Sequence, residues 1–445
     1  MSVRTLGSQS VINGKLHFAG ISAEELVAKY GTPLYVLDAT DIRDKVRSFK
    51  SAATAAHPHC TISYASKANS TLALLELMKE EDLDLDVASE GELEAGLRAG
   101  FSTSRIHLHG NNKSDREIDL AVHHRLQAVV LDNLSDISRT AAACKSHETT
   151  QGVFLRLAPG VDPDTHKAIS TGQEDTKFGM NISDGSAAHA VEMIASHSSL
   201  RFLGYHIHVG SQLMNSESVA AGAERASEFA IEMQSKIGLP QEMNCGGGLG
   251  VRYLPEQITE STQEFCAKVI AACHRPFQRA GLQLPRIGFE PGRFFVAESG
   301  TTLYKVGPIK TVPIGAKGQT RRYLSVDGGL ADNPRPQLYG ALYYAMNASR
   351  CDEQHDHPYR ISGRHCETDM LIPEVDLPAF TKEGDILAVQ CTGAYNAAMA
   401  SNYNRYPRPA TVIVGDGEPF VAVERESIEE LFRKERTKQG CMTQR

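Results

Sequence analysis

TISYAS, residues 61–66, is a short apolar and β-branched run, and Lys67 follows it directly. A segment of helical period begins near Ser70, and the chain then returns to a strand-like run, LDLDVA (83–88). The same order recurs through RIHLH (105–109), LQAVVLD (126–132), GVFLRLA (152–158), RFLGYHIHV (201–209), QEMNCGG (241–247) and PRIGFE (285–290), eight runs in all. Strands alternating with helices are the grammar of βα units on a parallel sheet, and eight such strands close a barrel. The first five recur every 21 to 26 residues, and two of the helices between them open with the capping-box pattern, Ser89 with Glu92 and Ser114 with Glu117. The expected architecture is therefore an α/β chain whose residues 40–300 form a (β/α)8 TIM-type barrel.

Working outward, the pattern changes on both sides. Beyond residue 300 the runs LYKVGPIK (303–310), RRYLSVDG (321–328), DILAVQC (385–391), ATVIVG (410–415) and PFVAVE (419–424) are strand-like with little helix between them. At the other end Asn13-Gly14 sits between two apolar runs, a hairpin signal, and PLYVLD (33–38) is another strand. Residues 1–39 and 301–445 are thus expected to form one mostly antiparallel β-barrel or sandwich domain from both termini. The polar stretch RCDEQHDHPYR (350–360) reads as a solvated loop, and SIEELFRKERTK from Ser427 as a short capped helix.

Composition narrows the function. The 445 residues carry 46 Lys+Arg against 54 Asp+Glu, a net charge of −8, which supplies no basic surface for nucleic acid. With 41% hydrophobic residues the chain has material for a large core, yet it has no apolar run of the roughly 18 residues a membrane span needs. The N-terminal stretch MSVRTLGSQSVINGKLHF lacks the apolar segment of a secretory signal. Nine scattered cysteines with no CxxC fit reduced thiols and a cytoplasmic location.

In such barrels reactive groups sit at the C-terminal ends of strands. The first strand leads to Lys67, an amine that partial desolvation would suit to Schiff-base chemistry, or else an ordinary surface lysine. The sixth ends in His206-Ile207-His208-Val209-Gly210-Ser211-Gln212, whose two histidines share a face by strand alternation. They suit a metal pair, a ring stacked on a planar cofactor, or hydrogen-bonded core histidines. The seventh runs into Gly246-Gly247-Gly248, a backbone cradle for a phosphate or a plain tight turn. The eighth ends in Glu290-Pro291-Gly292-Arg293, a carboxylate able to hold the proton of a heteroaromatic nitrogen beside an arginine able to pair with an anion. Amine, stacking ring, phosphate cradle and acid together are what pyridoxal 5'-phosphate requires of a protein.

The motifs YASKAN (64–69), HIHVGSQ (206–212), GGGLG (246–250), EPGR (290–293), HCETD (365–369) and GAYNAAMASNYN (393–404) span nearly the whole chain. As an ordered set they resemble the barrel-type, fold type III pyridoxal-phosphate decarboxylases, and among these the diaminopimelate decarboxylase family. The resemblance implies that Lys67 carries the cofactor, His208 stacks on its ring and Glu290 holds the ring N–H. It implies that Ser211, Gly247, Gly248, Pro291, Gly292, Arg293 and Tyr395 surround the cofactor, with no metal. Cys366, as proton donor, and Glu367, as substrate ligand, would reach the site of a partner subunit in a homodimer with shared active sites. Arg293, Arg335, Tyr339, Glu367 and Tyr395 would bind a small amino-acid substrate with two charged ends. The implied reaction is decarboxylation of meso-diaminopimelate to L-lysine. Its rivals are decarboxylation of another basic or carrier-linked amino acid and, from a different class, a metal-dependent barrel hydrolase marked by His-x-His. One departure stands out: the family follows Cys-Glu with Ser-Gly-Asp, whereas Thr368-Asp369-Met370 brings the acid one position earlier.

Overall fold

The computed structural model describes residues 3–161, 175–315 and 318–438. They divide into two compact units: residues 42–252 with 256–297, and residues 1–41 with 253–255 and 298–445.

The first unit is a closed parallel barrel. Its strands are Cys60–Ala65, Asp84–Val87, Ile106–Leu108, Ala128–Leu131, Gln151–Ala158, Leu200–Ile207, Glu242–Asn244 and Arg286–Phe289. Each pairs in parallel with the next, and the eighth closes on the first with Ile287 opposite Cys60. A two-residue strand, Met180–Asn181, lies outside the fifth. Closure is tight at Gly204, where the register shifts and a Cβ would stand 1.8 Å from the Glu242 carbonyl oxygen, so no larger residue fits there.

Helix starts follow the expected chemistry with one difference. Ser114 and Glu117 form the reciprocal capping box over Asp115–His123. Ser89 also accepts from the Glu92 amide, but the Glu92 carboxylate does not return to the cap; it takes the Ala88 amide at 2.7 Å and the Ser66 hydroxyl at 3.1 Å. The shorter of these bonds, from the Ala88 amide just before the cap, replaces the return to Ser89.

In the second unit the strand Leu34–Asp38 lies between Gly300–Ile314, antiparallel, and Ala410–Val414, parallel. The N-terminal strands Gln9–Ile12 and Lys15–Phe18 form the hairpin at Asn13-Gly14, both turn residues having positive φ. Leu16, Phe18, Leu26, Val36, Leu303, Ala388 and Val412 make its core. Most pairings are antiparallel, the other parallel one joining Gln319–Val326 to His355–Ser362. That last strand corrects the reading of residues 350–360 as a solvated loop. Asp356 and Pro358 are exposed but Tyr359 and Ile361 are buried, so the charged residues masked a strand with one apolar side. The strand Met370–Pro378 beside it was likewise not foreseen. The C-terminal helix, Ile428–Phe432, carries a reciprocal Ser427–Glu430 box. Among the described residues no helix is long and apolar enough to cross a membrane.

Candidate active site

At the C-terminal ends of the barrel strands, Lys67 stands on a one-turn 3-10 segment, Ser66–Ala68, exposed between two buried neighbours. The turn is rigid: the Ser66 hydroxyl donates to the Asp86 carbonyl at 2.7 Å, and the Tyr64 hydroxyl donates to the Asn69 carbonyl at 2.9 Å.

Glu290 is the centre of a buried polar cluster. One carboxylate oxygen lies 2.9 Å from His206 Nε2, the other accepts from Asn244 Nδ2 at 2.8 Å, and His109 Nε2 stands 3.5 Å away. Burial first, and then the charge of Asp86, push this carboxyl up to about 7, so it holds a proton far more readily than a solvated glutamate. Burial also holds His206 and His208 well below the ordinary histidine value, assisted by Arg156 at His206 and by Lys67 at His208, which keeps both rings neutral. The sixth strand stops at Ile207, so His208 leaves it, and its Nδ1 accepts from the Gly247 amide at 3.3 Å. The two histidines of the His-x-His therefore have separate partners.

Beneath them, Asp86 lies 3.1 Å from His107 Nδ1 and 3.6 Å from His109 Nε2. Burial pulls the His107 value down, but the Asp86 hydrogen bond and charge outweigh it and carry the ring up to about 9. Asp86, His107, His109 and Asn244 were not singled out from the sequence. For Asp86, His107 and His109 the signal was alternation: LDLDVA and RIHLH place polar residues at every second position of mostly buried strands. The ligand atoms of Asp86, His107 and His109, and of His109, His206 and Glu290, lie within 4.8 Å of one another, the spacing a metal reading would need. Two of those contacts are already hydrogen-bonded pairs, His107 with Asp86 and His206 with Glu290.

The glycines are dictated by close approach. A Cβ on Gly246 would stand 2.4 Å from the Ile207 carbonyl oxygen, and one on Gly247 2.4 Å from that of Glu290. Gly248 has φ +126 and faces the Gly210 carbonyl. Pro291 and Gly292 fasten the eighth strand to the first: the Ala65 amide donates to the Pro291 carbonyl at 3.4 Å, and a Cβ on Gly292 would meet the Ala65 carbonyl at 3.0 Å. Arg293, buried, donates through Nε and Nη2 to the Ser211 hydroxyl, each at 3.2 Å. The barrel thus carries Lys67, His208, Ser211, Gly247, Gly248, Glu290, Pro291, Gly292 and Arg293.

The remaining candidates lie in the β unit. Arg335 is 6% exposed, and its Nη1 donates to the Tyr253 hydroxyl at 2.8 Å and the Tyr343 hydroxyl at 2.7 Å. These two tyrosines were also not singled out from the sequence, since nothing local distinguishes them from core aromatics. Tyr339 closes the same short helix, Arg335–Tyr339, half-buried. Tyr395 is half-buried with φ +59, a left-handed conformation that is uncommon for a bulky residue. Cys366, Glu367 and Thr368 are exposed at the tip of a turn whose ends, His365 and Asp369, are buried. The displaced acid shapes that turn: Asp369 accepts from the Leu330 amide at 2.7 Å and the His365 amide at 3.0 Å, and pairs with His365 Nδ1 at 2.6 Å.

The barrel residues fit pyridoxal phosphate: a loop that admits no Cβ next to a buried arginine bonded to a half-buried serine suits a phosphate, and a carboxyl able to retain a proton suits a ring nitrogen. Residues 39–297 match the family model described as pyridoxal-dependent decarboxylase, pyridoxal binding domain, which gives the class as a pyridoxal-phosphate-dependent decarboxylase of barrel type. The diaminopimelate decarboxylase of Bacillus subtilis is 43% identical, covering 95% of each chain. Crystal structures of the diaminopimelate decarboxylases of M. jannaschii and of Helicobacter pylori, the latter complexed with L-lysine, superpose with TM-scores of 0.89 and 0.82. Both are 28% identical to this chain, covering 97% and 92% of it and 98% of each of theirs. The chain belongs to the diaminopimelate decarboxylase family.

Proposed function

We propose that this protein converts meso-2,6-diaminopimelate to L-lysine and CO₂, working in the cytoplasm as a homodimer with shared active sites. The observation that carries the reading is the buried Glu290, held between His206 and Asn244 on a barrel rim that also bears Lys67 and the glycine cradle. Pyridoxal 5'-phosphate, when bound, supplies an electron sink for the pair left on the α-carbon as CO₂ departs. Lys67 would hold it through Nζ, and the His208 ring would lie against it, kept neutral by burial. Ser211, Gly247, Gly248, Arg293 and Tyr395 take the phosphate, with Pro291 and Gly292 keeping the rim closed. Glu290 keeps a proton on the ring nitrogen; a carboxyl drawn up to about 7 shares that proton at little cost.

Arg335 is held by two tyrosine hydroxyls, which leaves its charge for a substrate carboxylate, and Tyr339 and the Glu367 carboxylate suit the amino group at the same distal end. Cys366 Sγ donates the proton that replaces CO₂. The exposure of Cys366 and Glu367 supports the dimer, because residues with this chemistry need a second surface to exclude water. That the eight described cysteines form no disulfide with one another supports the cytoplasm.

The test is to supply pyridoxal 5'-phosphate and offer meso-diaminopimelate, L-lysine, L-ornithine and L-arginine in parallel, following CO₂ and amine products. Lysine and CO₂ from diaminopimelate alone are expected. Comparable release from L-lysine or L-ornithine would overturn the substrate assignment.

A further inference from the structure

The motif GAYNAAMASNYN, which carries Tyr395, ends in Tyr403-Asn404. Tyr403 and Asn404 reach back across 36 and 38 residues to the Cys366–Glu367 turn. The Asn404 side-chain oxygen accepts from the Cys366 amide at 2.9 Å, and the Tyr403 hydroxyl donates to Glu367 Oε1 at 2.6 Å. Asn404 has φ +51, the left-handed conformation asparagine tolerates best after glycine, and Arg405 follows at φ +57. The backbone thus bends sharply just where it presents both side chains to the turn.

Tyr403 is itself braced. The His365 ring stacks on it, centroids 5.9 Å apart and 24° from parallel, and meets Tyr406 edge-on at 5.2 Å. Asp369 fixes that imidazole through Nδ1, so a continuous line of contacts runs from Asp369 through His365 and Tyr403 to the Glu367 carboxylate. The Glu367 hydrogen bond and charge raise the phenol above its ordinary value, so Tyr403 remains a donor at neutral pH. An exposed glutamate side chain otherwise samples many rotamers, and holding one removes that entropy before any ligand arrives.

We propose that Tyr403 and Asn404 are positioning residues, which fix the Glu367 carboxylate and the Cys366 backbone in the geometry used for the distal amino group of the substrate. The inference rests on Glu367 being a substrate ligand, and deepens that reading by giving its orientation a cause. Tyr403 acts through Glu367.

The experiment is a double-mutant cycle on the full chain with pyridoxal 5'-phosphate and meso-diaminopimelate: Glu367→Gln, Tyr403→Phe and the pair, with KM and kcat read separately. Tyr403→Phe keeps the ring stack and removes only the hydroxyl, so the melting temperature should not move. It is expected to raise KM about tenfold, the worth of one hydrogen bond to a charged group, with kcat within about twofold. The pair should be no worse than Glu367→Gln alone, because the two act as one unit. A stable Tyr403→Phe with unchanged KM, or full additivity, overturns the positioning role. If Glu367→Gln itself leaves KM unchanged, the substrate-ligand reading has failed and the positioning role falls with it. For Asn404, the Asn404→Ala variant should alter the alkylation rate of Cys366 by iodoacetamide at least about threefold, and an identical rate would remove Asn404 from the assignment.

Discussion

Two regions carry the candidate chemistry, and they are built on opposite principles. In the barrel, Glu290, His206 and Asn244 are buried, Glu290 is bonded to both of the others, and burial reshapes the acidity of Glu290 and His206. In the β unit, Cys366 and Glu367 stand in solvent on a turn whose support lies beneath, at His365, Asp369 and Tyr403. A buried site tunes charge through low dielectric and fixed dipoles. An exposed pair has its geometry set by the scaffold, while its charges remain in a high-dielectric surround.

The sharpest way to break this comparison is to remove each region's reactive group. Lys67→Ala is expected to abolish the visible absorbance of bound cofactor and cut CO₂ release by about a thousandfold or more. Retention of both would remove the barrel rim from the chemistry. Cys366→Ala should act differently: absorbance retained and decarboxylation reduced about a hundredfold, the scale of a single proton donor. A variant that also lost the absorbance would show that the two regions are not separable in this way.

The smallest effect concerns acidity and is visible without cofactor. The folded-state value of Glu290 is raised from 4.5 to about 7, so the folded protein holds a proton there that the unfolded chain has given up. Stability from this group is therefore present at low pH and is lost as pH rises from about 4.5 through 7. His206 and His208, held low, lose stability in the opposite direction as pH falls, so the difference between proteins must be read. Denaturant unfolding of the apoprotein should show the wild type losing stability against Glu290→Gln between pH 5 and pH 8, on the order of 2–3 kcal/mol. A difference flat in pH would mean that Glu290 titrates as a solvated carboxyl.

Most of the barrel could be read before folding, because strand alternation and strand–helix succession are local patterns. Each of the eight expected runs overlaps a barrel strand, and the Asn13-Gly14 hairpin and the Ser114 and Ser427 boxes formed as their residue types require. What misled was also local: the charge-rich stretch around His355 concealed a strand, and Glu92, expected to close a capping box, found Ser66 and Ala88 instead.

By itself, then, the sequence settled which residues stand at the ends of the barrel strands and which motif follows which, since periods of two and 3.6 residues need no distant partner. Only the tertiary structure decided what those residues touch. His206 meets Glu290 across 84 residues, Arg335 meets Tyr253 across 82, and Cys366 meets Asn404 across 38. Such contacts are fixed by barrel closure, sheet register and a turn folded around Asp369, and a hydrogen bond depends on tenths of an ångström that no pattern along the chain encodes.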